Sequence, residues 1–294
     1  MSRIATIGFF DGVHLGHRYV FDCLLTKAQE LRLEPLIVTF RQHPREVLQN
    51  GYVPKLLTTP EERKRLLESY SETLILDFRD IYMLTAEQFM VYLRERYAVV
   101  GILMGYDHRF GSDRLCAYRD YAAAGKAAGI EIYQLPQYMP QTASAGDGLP
   151  QHVSSTEIRS LLQGGKASEA NELLGYPYTL TGEVVHGNGI GRELGFPTAN
   201  IRLQEGYKLV PKEGVYKAEA HIYGRWHKAV LNIGTNPTIG NPAQTIEVHI
   251  PDYQGDLYGQ EIQVRVLSRL RDEQRFADKA ALTAQIQRDI AACK

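Results

Sequence analysis

The stretch GFFDGVHLGH, Gly8 to His17, decides how the first half of this chain folds. It overlaps the run RIATIGFF (Arg3–Phe10), which reads as a buried strand, and sets three glycines, two histidines and an aspartate ahead of a helix-like pattern. Strand, glycine-rich turn and helix in that order make a place to bind phosphate. The first N–H groups of a helix lack partners, the helix dipole favours an anion, and glycine lets the main chain approach closely. Gly12 and Gly16 serve that approach. His14 and His17, three apart at the helix start, can face one anion. The plainer alternative is a polar turn carrying two surface histidines.

Outward from this stretch, apolar periodicity predicts a helix over 16–31 with Val20, Leu24, Leu25, Ala28 and Leu31 on one stripe. Further strands are predicted at PLIVTF (Pro35–Phe40), TLILDF (Thr73–Phe78), VVGILMG (Val99–Gly105) and IEIYQLP (Ile130–Pro136). Between them, TPEERKRLLESY opens a helix with Thr59 as N-cap, Pro60 first and Glu62 in the capping-box place, and TAEQFMVYLRERY repeats the box with Thr85 and Gln88. Continuous apolar strands alternating with helices predict an α/β fold, a parallel sheet covered on both faces. Ligands then bind beyond the carboxyl ends of the strands, at the loops after Ile7, Phe40 and Met104. The second of these is TFRQHP (Thr39–Pro44). The third is GYDHRFG, where Gly105 and Gly111 bracket Asp107, His108, Arg109 and Phe110.

A polar loop from Pro140 to Gln151 precedes VSSTEIRSLL (Val153–Leu162). Ser154 or Ser155 serves as an ordinary N-cap, and Ser154 with Glu157 fits a capping box. Three hydroxyls, with Arg159 one turn in, also make a second anion-binding helix end. Past Leu174 the pattern changes to short alternating runs, VYKAEAHIY, WHKAVLNIG, TIEVHIPD and EIQVRVLSRL, parted by Gly, Pro, Asn and Asp. That is all-β patterning, met by a small barrel or a sandwich. Helical spacing returns at the end with Phe276, Ala280, Leu282 and Ile286. We expect two domains, 1–175 and 178–294, where Gly175 and Pro177 separate the two periodicities.

In the second half, VVHGNGIGRELGFPTANI (Val184–Ile201) carries glycines at 187, 189, 191 and 195. No βαβ unit follows, which argues against a dinucleotide fingerprint. Thr198 and Asn200, two apart on an extended segment, point the same way and can offer oxygens to magnesium or a phosphate. Glu247 lies inside the apolar run TIEVHI. It is either the exposed position of an alternating strand or a general base for a substrate hydroxyl.

Composition bounds the rest. The 294 residues are 44% hydrophobic and 23% charged, with net charge -1. No general pull toward nucleic acid or an anionic membrane is expected. Cys23, Cys116 and Cys293 are odd in number and form no C-x-x-C, against a disulfide framework or a zinc site. No run approaches the roughly 20 apolar residues of a membrane span. Asp11 and His14 interrupt the start too soon for a signal peptide, so the cytoplasm is expected.

Taken in order, GFFDGVHLGH, GYDHRFG and VSSTEIR resemble the adenylyltransferase module of bacterial bifunctional riboflavin kinase/FAD synthetases, over about residues 1–175. GxGRxLGFPTAN, GVY, NIGxNPT, EVHI, DLYG and LR resemble the same family's riboflavin kinase domain, from about Tyr178 to Lys294. The resemblance implies a Rossmann-like parallel sheet followed by a six-stranded barrel with a C-terminal helix. It implies two reactions: riboflavin and ATP give FMN, then FMN and ATP give FAD and pyrophosphate. Riboflavin, FMN, FAD and ATP are the implied small-molecule partners, with Mg2+ as cofactor. By resemblance, His14 and His17 bind the ATP phosphates and stabilise the charge that develops. Gly8, Phe9, Asp11, Gly12 and Gly16 belong to that nucleotide loop. Ser154, Ser155, Thr156 and Arg159 hold the distal phosphates, and Asp107 lies near nucleotide or flavin. In the kinase, Gly187, Gly189, Gly191, Arg192, Gly195 and Pro197 form the loop over ATP. Thr198 and Asn200 organise the metal, Glu247 is the base, and Asn232, Glu247 and Arg271 touch flavin. His152 stands where the family often has a stronger cation, so ATP or pyrophosphate affinity is expected to differ.

Overall fold

The computed structural model describes residues 1–106, 108–115, 117–138, 153–187, 191, 194–204, 206–236 and 243–293, with Asn236 and Ala243 as backbone only. The chain divides into two compact units, Met1–Ser155 and Thr156–Lys294.

The first unit is a five-stranded sheet: β1 (Arg3–Ile7), β2 (Glu34–Phe40), β3 (Glu72–Leu76), β4 (Val99–Met104) and β5 (Glu131–Gln134). All pairs are parallel, in the order β3-β2-β1-β4-β5. Side chains alternate across the sheet and both faces are buried. Ile4, Ile37 and Leu103 meet Phe21, Leu24 and Ala28 of α1 (Leu15–Leu31) and Leu67 of α3 (Pro60–Glu68). Ala5, Ile7, Leu36, Val38, Ile102 and Met104 meet α5 (Ala86–Tyr97) and α6 (Tyr118–Ala128) on the other side. Two short helices, α2 (Pro44–Leu48) and α4 (Phe78–Ile81), follow β2 and β3. Capping boxes form at Thr59/Glu62 and Thr85/Gln88, as the sequence predicts.

The stripe expected on α1 is corrected. Leu24 and Ala28 are buried, but Leu25 and Leu31 are exposed and Phe21 takes the inner place. The helix carries adjacent apolar positions, and the bulkier aromatic one turns toward the sheet, where it removes more surface from water.

In the second unit, β6 (Tyr178–Val185), β7 (Thr198–Leu203), β8 (Gly214–Ile222), β9 (Arg225–Asn236), β10 (Ala243–His249) and β11 (Glu261–Arg271) close an antiparallel barrel, ordered β10-β7-β6-β11-β8-β9. Of barrel and sandwich, the barrel is observed; closure leaves no unpaired edge. Inward residues such as Leu180, Tyr216, Leu231, Ile233, Val248 and Val264 are fully buried. The final helix, α9 (Lys279–Ala292), packs outside the barrel, with Ile290 and Cys293 against Val215 and Val230. Two helices precede the barrel, α7 (Ser155–Gln163) and α8 (Ala167–Leu174). Asn171 of α8 donates to the carbonyls of Val266 (2.8 Å) and Leu267 (3.1 Å) and accepts from Tyr178 N–H (2.7 Å). Those carbonyls lie where β11 slips register against β8, so Asn171 satisfies groups the ladder leaves open. No helix among the described residues is long and apolar enough to cross a membrane.

Candidate functional site

In the first unit the strand order reverses between β1 and β4, and ligands bind at such a switch point. A cavity of about 200 Å³ opens there, lined by Ile7 at the end of β1 and by Gly105, Tyr106 and His108 after β4. The loop Thr39–Pro44 follows β2, on the far side of β1, and does not line it. Its polar groups cap locally: His43 accepts from Arg45 N–H (3.1 Å), and Gln42 bonds Asp77 and Phe78 N–H.

The turn after β1 is held in costly backbone. Phe10, Gly12 and Val13 have φ of 55°, 81° and 39°. Only Gly12 takes this region without strain, and for β-branched Val13 it is a marked outlier. Burial keeps the turn there, since Phe10 and Val13 are core residues. Asp11 ties it down. Its carboxylate accepts from Leu57 N–H and Thr58 N–H, each at 3.0 Å, and from the Thr58 hydroxyl at 3.1 Å. Gly12 N–H donates to Thr58 Oγ1 (3.1 Å), and the Ser155 hydroxyl donates to the Asp11 carbonyl (2.8 Å). Phe9 lies under the Arg63 guanidinium (4.0 Å) and edge-on to His43. A side chain at Gly8 would meet the Phe10 ring at 2.7 Å. Gly8, Phe9, Asp11 and Gly12 thus build the loop from beneath.

The structure brings His14, Gly16, His17, Ser154 and Ser155 together around the cavity. His14 is the N-cap of α1, and its Nδ1 accepts from His17 N–H at 3.4 Å. An accepting Nδ1 is unprotonated, so neutral His14 carries its proton on Nε2. The rings of His14 and His17 stack 3.6 Å apart at 19°. His17 Nδ1 is buried without a hydrogen-bond partner among the described residues. Enclosure of the His17 ring, then His14, then His108 push its pKa well below the usual 6.5. Thr156, exposed, and Arg159, half-buried, stand on the first two turns of α7 in the second compact unit. Asp107 and His152 lie outside the described residues. The third histidine, His108, stands inside a loop the sequence singles out, but Asp107 drew the functional assignment there.

In the second unit a larger cavity, about 540 Å³, lies between the outer face of the barrel and α9. Barrel register builds it. Paired residues of adjacent antiparallel strands share a face. Asn200 pairs Glu247, Glu247 pairs Asn232, Asn232 pairs Val215, and Val215 pairs Arg271. All five line the cavity, as do Thr198, His249 and Val230 of the next row. Glu247 is thus on the outer position of an alternating strand, roofed by α9 instead of facing open water. The Thr198 hydroxyl donates to Glu247 Oε2 at 3.2 Å. A Cβ at Gly187 would sit 2.1 Å from the Asn200 amide, so a side chain there would displace that amide from its present place. Gly191 lines the cavity, Gly195 has φ of 85°, and Pro197 offers its carbonyl to His249. Gly189, Arg192 and the run 237–242 lie outside the described residues.

Arg271 is bound side-on by Asp289 of α9, with contacts of 3.1, 3.1 and 2.8 Å, and Gln285 also donates to Asp289 at 2.8 Å. Both partners are shielded from water, which makes such a pair geometrically demanding. Asp289 and His249 of this cavity are not singled out in the sequence, and Phe276 figures there only as an apolar position of the terminal helix.

A family model described as FAD synthetase matches residues 1–146, and one described as riboflavin kinase matches residues 174–294. The bifunctional riboflavin kinase/FMN adenylyltransferase of Escherichia coli (strain K12) is 36% identical over 293 residues, covering 97% of this chain and 90% of that protein. The protein of the same name from Bacillus subtilis (strain 168) is 34% identical over 299 residues, covering 98% and 90%. Among solved structures, one described as a macrolide-efflux protein from Streptococcus pneumoniae superposes with a TM-score of 0.87 at 30% identity, over 99% of this chain and 93% of that one.

Proposed function

This chain belongs to the family of bifunctional riboflavin kinase/FMN adenylyltransferases, and from that premise we propose how its residues share the two reactions. The protein phosphorylates riboflavin with ATP to give FMN, and transfers AMP from a second ATP to FMN to give FAD and pyrophosphate. One contrast carries the assignment of residues. The described lining of the first cavity holds three histidines and no carboxylate, whereas that of the second holds Glu247 beside a strand hydroxyl.

Adenylylation brings together two anions, the FMN phosphate and the ATP triphosphate. The FMN phosphate is already ionised and attacks the α-phosphorus, and pyrophosphate leaves. The protein supplies no nucleophile; it aligns the groups and stabilises charge. The N-terminus of α1, His14, His17 and the hydroxyl of Ser154 do so, while Ser155, whose hydroxyl donates to the Asp11 carbonyl, holds the turn. Phosphorylation of riboflavin starts from a neutral hydroxyl. Glu247 accepts its proton as the oxygen attacks the γ-phosphorus, and ADP leaves. Asn232 and Arg271, in the same row, hold the flavin side.

Magnesium fits the kinase cavity by the chemistry of its donors. Thr198 and Asn200 offer neutral hard oxygens two apart on β7, and a hydroxyl can donate to Glu247 while its lone pairs face a cation. Among the described residues no group of three His, Cys, Asp or Glu forms a protein-only metal cage, which suits an ion held largely by substrate phosphates. Bound there, the ion supplies charge neutralisation on the phosphates. Cys23 and Cys293 are free thiols, and with ATP as co-substrate they support a cytoplasmic setting.

The direct test is incubation with riboflavin, ATP and magnesium, followed by chromatographic separation of the flavins. FMN and then FAD should appear; riboflavin left unchanged would sink the reading.

The fold also sets where a working kinase fragment begins. Residues 156–294 keep α7 and α8, including Asn171 and the bond from Lys212 N–H to the Leu162 carbonyl (3.0 Å). Residues 178–294 lose these partners. Each buried group left unpaired costs about 1–3 kcal/mol. We expect both fragments to make FMN and neither FAD, with the shorter one melting at least about 5 °C lower. Equal melting temperatures would show that Asn171 contributes nothing.

The low pKa of His17 has a sign that can be checked. The unfolded chain takes a proton near pH 6.5 and the folded free protein does not, so lowering pH through 6.5 weakens folding, until His17 itself titrates. A bound triphosphate favours imidazolium, so ATP binding should take up a proton. Calorimetry of ATP binding near pH 6, in buffers of different ionisation enthalpy, should show uptake in the wild type and less in His17→Gln. Identical uptake in both would assign the proton elsewhere.

A further inference from the structure

His249 is the cross-strand partner of Thr198, nine-tenths buried, and it lines the kinase cavity. Its Nδ1 lies 2.8 Å from the carbonyl oxygen of Pro197. A carbonyl oxygen only accepts, so the ring nitrogen is the donor and the tautomer follows. Phe196 stands edge-on to the imidazole, 5.7 Å between centroids at 82°. On its glycine side the same turn is closed by Phe196 N–H to the Gly191 carbonyl at 2.8 Å and by Leu194 N–H to that carbonyl at 3.2 Å. Pro197 has no N–H, and its carbonyl stands just ahead of the first ladder pair of β7, Thr198 with His249. A polar group so placed needs a partner, and His249 provides it from the neighbouring strand.

The consequence is mechanical. The Pro197 carbonyl and the Thr198 nitrogen share one rigid peptide plane. Fixing that oxygen fixes the direction in which Thr198 leaves the loop. The Thr198 hydroxyl in turn contacts Glu247 at 3.2 Å. We propose that His249 is a positioning residue of the kinase: by donating to the Pro197 carbonyl it fastens the exit of the glycine loop to β10 and aims Thr198 at the nucleotide. This rests on the placement of ATP beside Thr198 given above. It predicts an effect on ATP that exceeds any effect on riboflavin.

The test compares three variants of the full chain. His249→Asn puts an amide N–H on the γ-carbon, where Nδ1 was. His249→Gln carries the same amide one methylene further out. His249→Phe keeps a ring and removes the donor. For riboflavin phosphorylation we expect the Phe and Gln variants to raise KM for ATP about tenfold, the scale of one lost hydrogen bond in a buried site. KM for riboflavin should stay within about twofold, and the Asn variant should stay within about threefold of wild type for ATP. Conversion of supplied FMN to FAD should be unchanged in all three. Should the Phe variant fail to fold, the Asn and Gln pair decides alone. Asn and Gln variants with the same KM for ATP would overturn the proposal, as would a loss confined to kcat, which marks a smaller folded fraction. A wild-type chain that makes no FMN would overturn the kinase reading itself; an active wild type with indistinguishable variants overturns only the role of His249.

Discussion

Glu247→Gln should make almost no FMN from riboflavin while still converting supplied FMN to FAD at the wild-type rate. The substitution keeps the shape of the side chain and an oxygen to accept from the Thr198 hydroxyl, so the row Asn200–Glu247–Asn232 stays in place. What it removes is the ability to take a proton at neutral pH. A primary hydroxyl that keeps its proton is a poor nucleophile, and a positioned general base contributes about 10²–10⁴ in rate. We therefore expect FMN formation to fall by about a thousandfold. The second reaction starts from an ionised phosphate and is served by a different cavity, so it needs no such base. Flavin separation after incubation with riboflavin, or with FMN, reads both reactions on one protein. A variant that phosphorylates riboflavin normally would remove Glu247 from the role of base, and one that loses both reactions would mark damage beyond it.

Why Glu247 was ambiguous in the sequence, and Thr59 was not, is a matter of range. A capping box is closed within four residues, so Thr59/Glu62 and Thr85/Gln88 were legible and form as expected. The five parallel strands were legible because burial on both faces leaves continuous apolar runs. Glu247 occupies the outward place of an alternating strand, and alternation says nothing of what covers that place. Here α9 covers it, from more than thirty residues further along the chain. The same limit hides Asp289, which meets Arg271 only once α9 has docked. Chemistry alone also fails to separate a loop that holds a ligand from one that holds itself. The resemblance places Asp11 in the nucleotide loop, and only the fold shows its oxygens accepting from Leu57 and Thr58. Sheet order explains the loop at Thr39–Pro44. Three loops follow buried strands, but only those after β1 and β4 flank the point where the order reverses.

His14→Ala and His17→Ala should each lower FAD formation from FMN by about a hundredfold to a thousandfold, with FMN formation from riboflavin intact. Losing one positioned electrostatic group at a transferring centre costs about that much. The expected effect is larger than for a surface histidine because each ring supports the other. The rings stack at 3.6 Å, and His14 Nδ1 receives His17 N–H, so removing His14 also frees a backbone donor at the start of α1. His17 packs edge-on against Phe10, whose backbone is held at positive φ, so its loss leaves a void beside the strained turn. Substitution by Asn separates packing from charge: Asn at 14 keeps an N-cap oxygen but no imidazole. His14→Asn should therefore restore the melting temperature of the Ala variant without restoring FAD synthesis. Adenylylation is followed as pyrophosphate release with FMN and ATP supplied, and kinase activity in the same sample reports on the second unit. Wild-type FAD synthesis in both Ala variants would show that the cavity at the start of α1 is not where AMP is transferred. Recovery of FAD synthesis in His14→Asn would show that His14 acts as a cap alone.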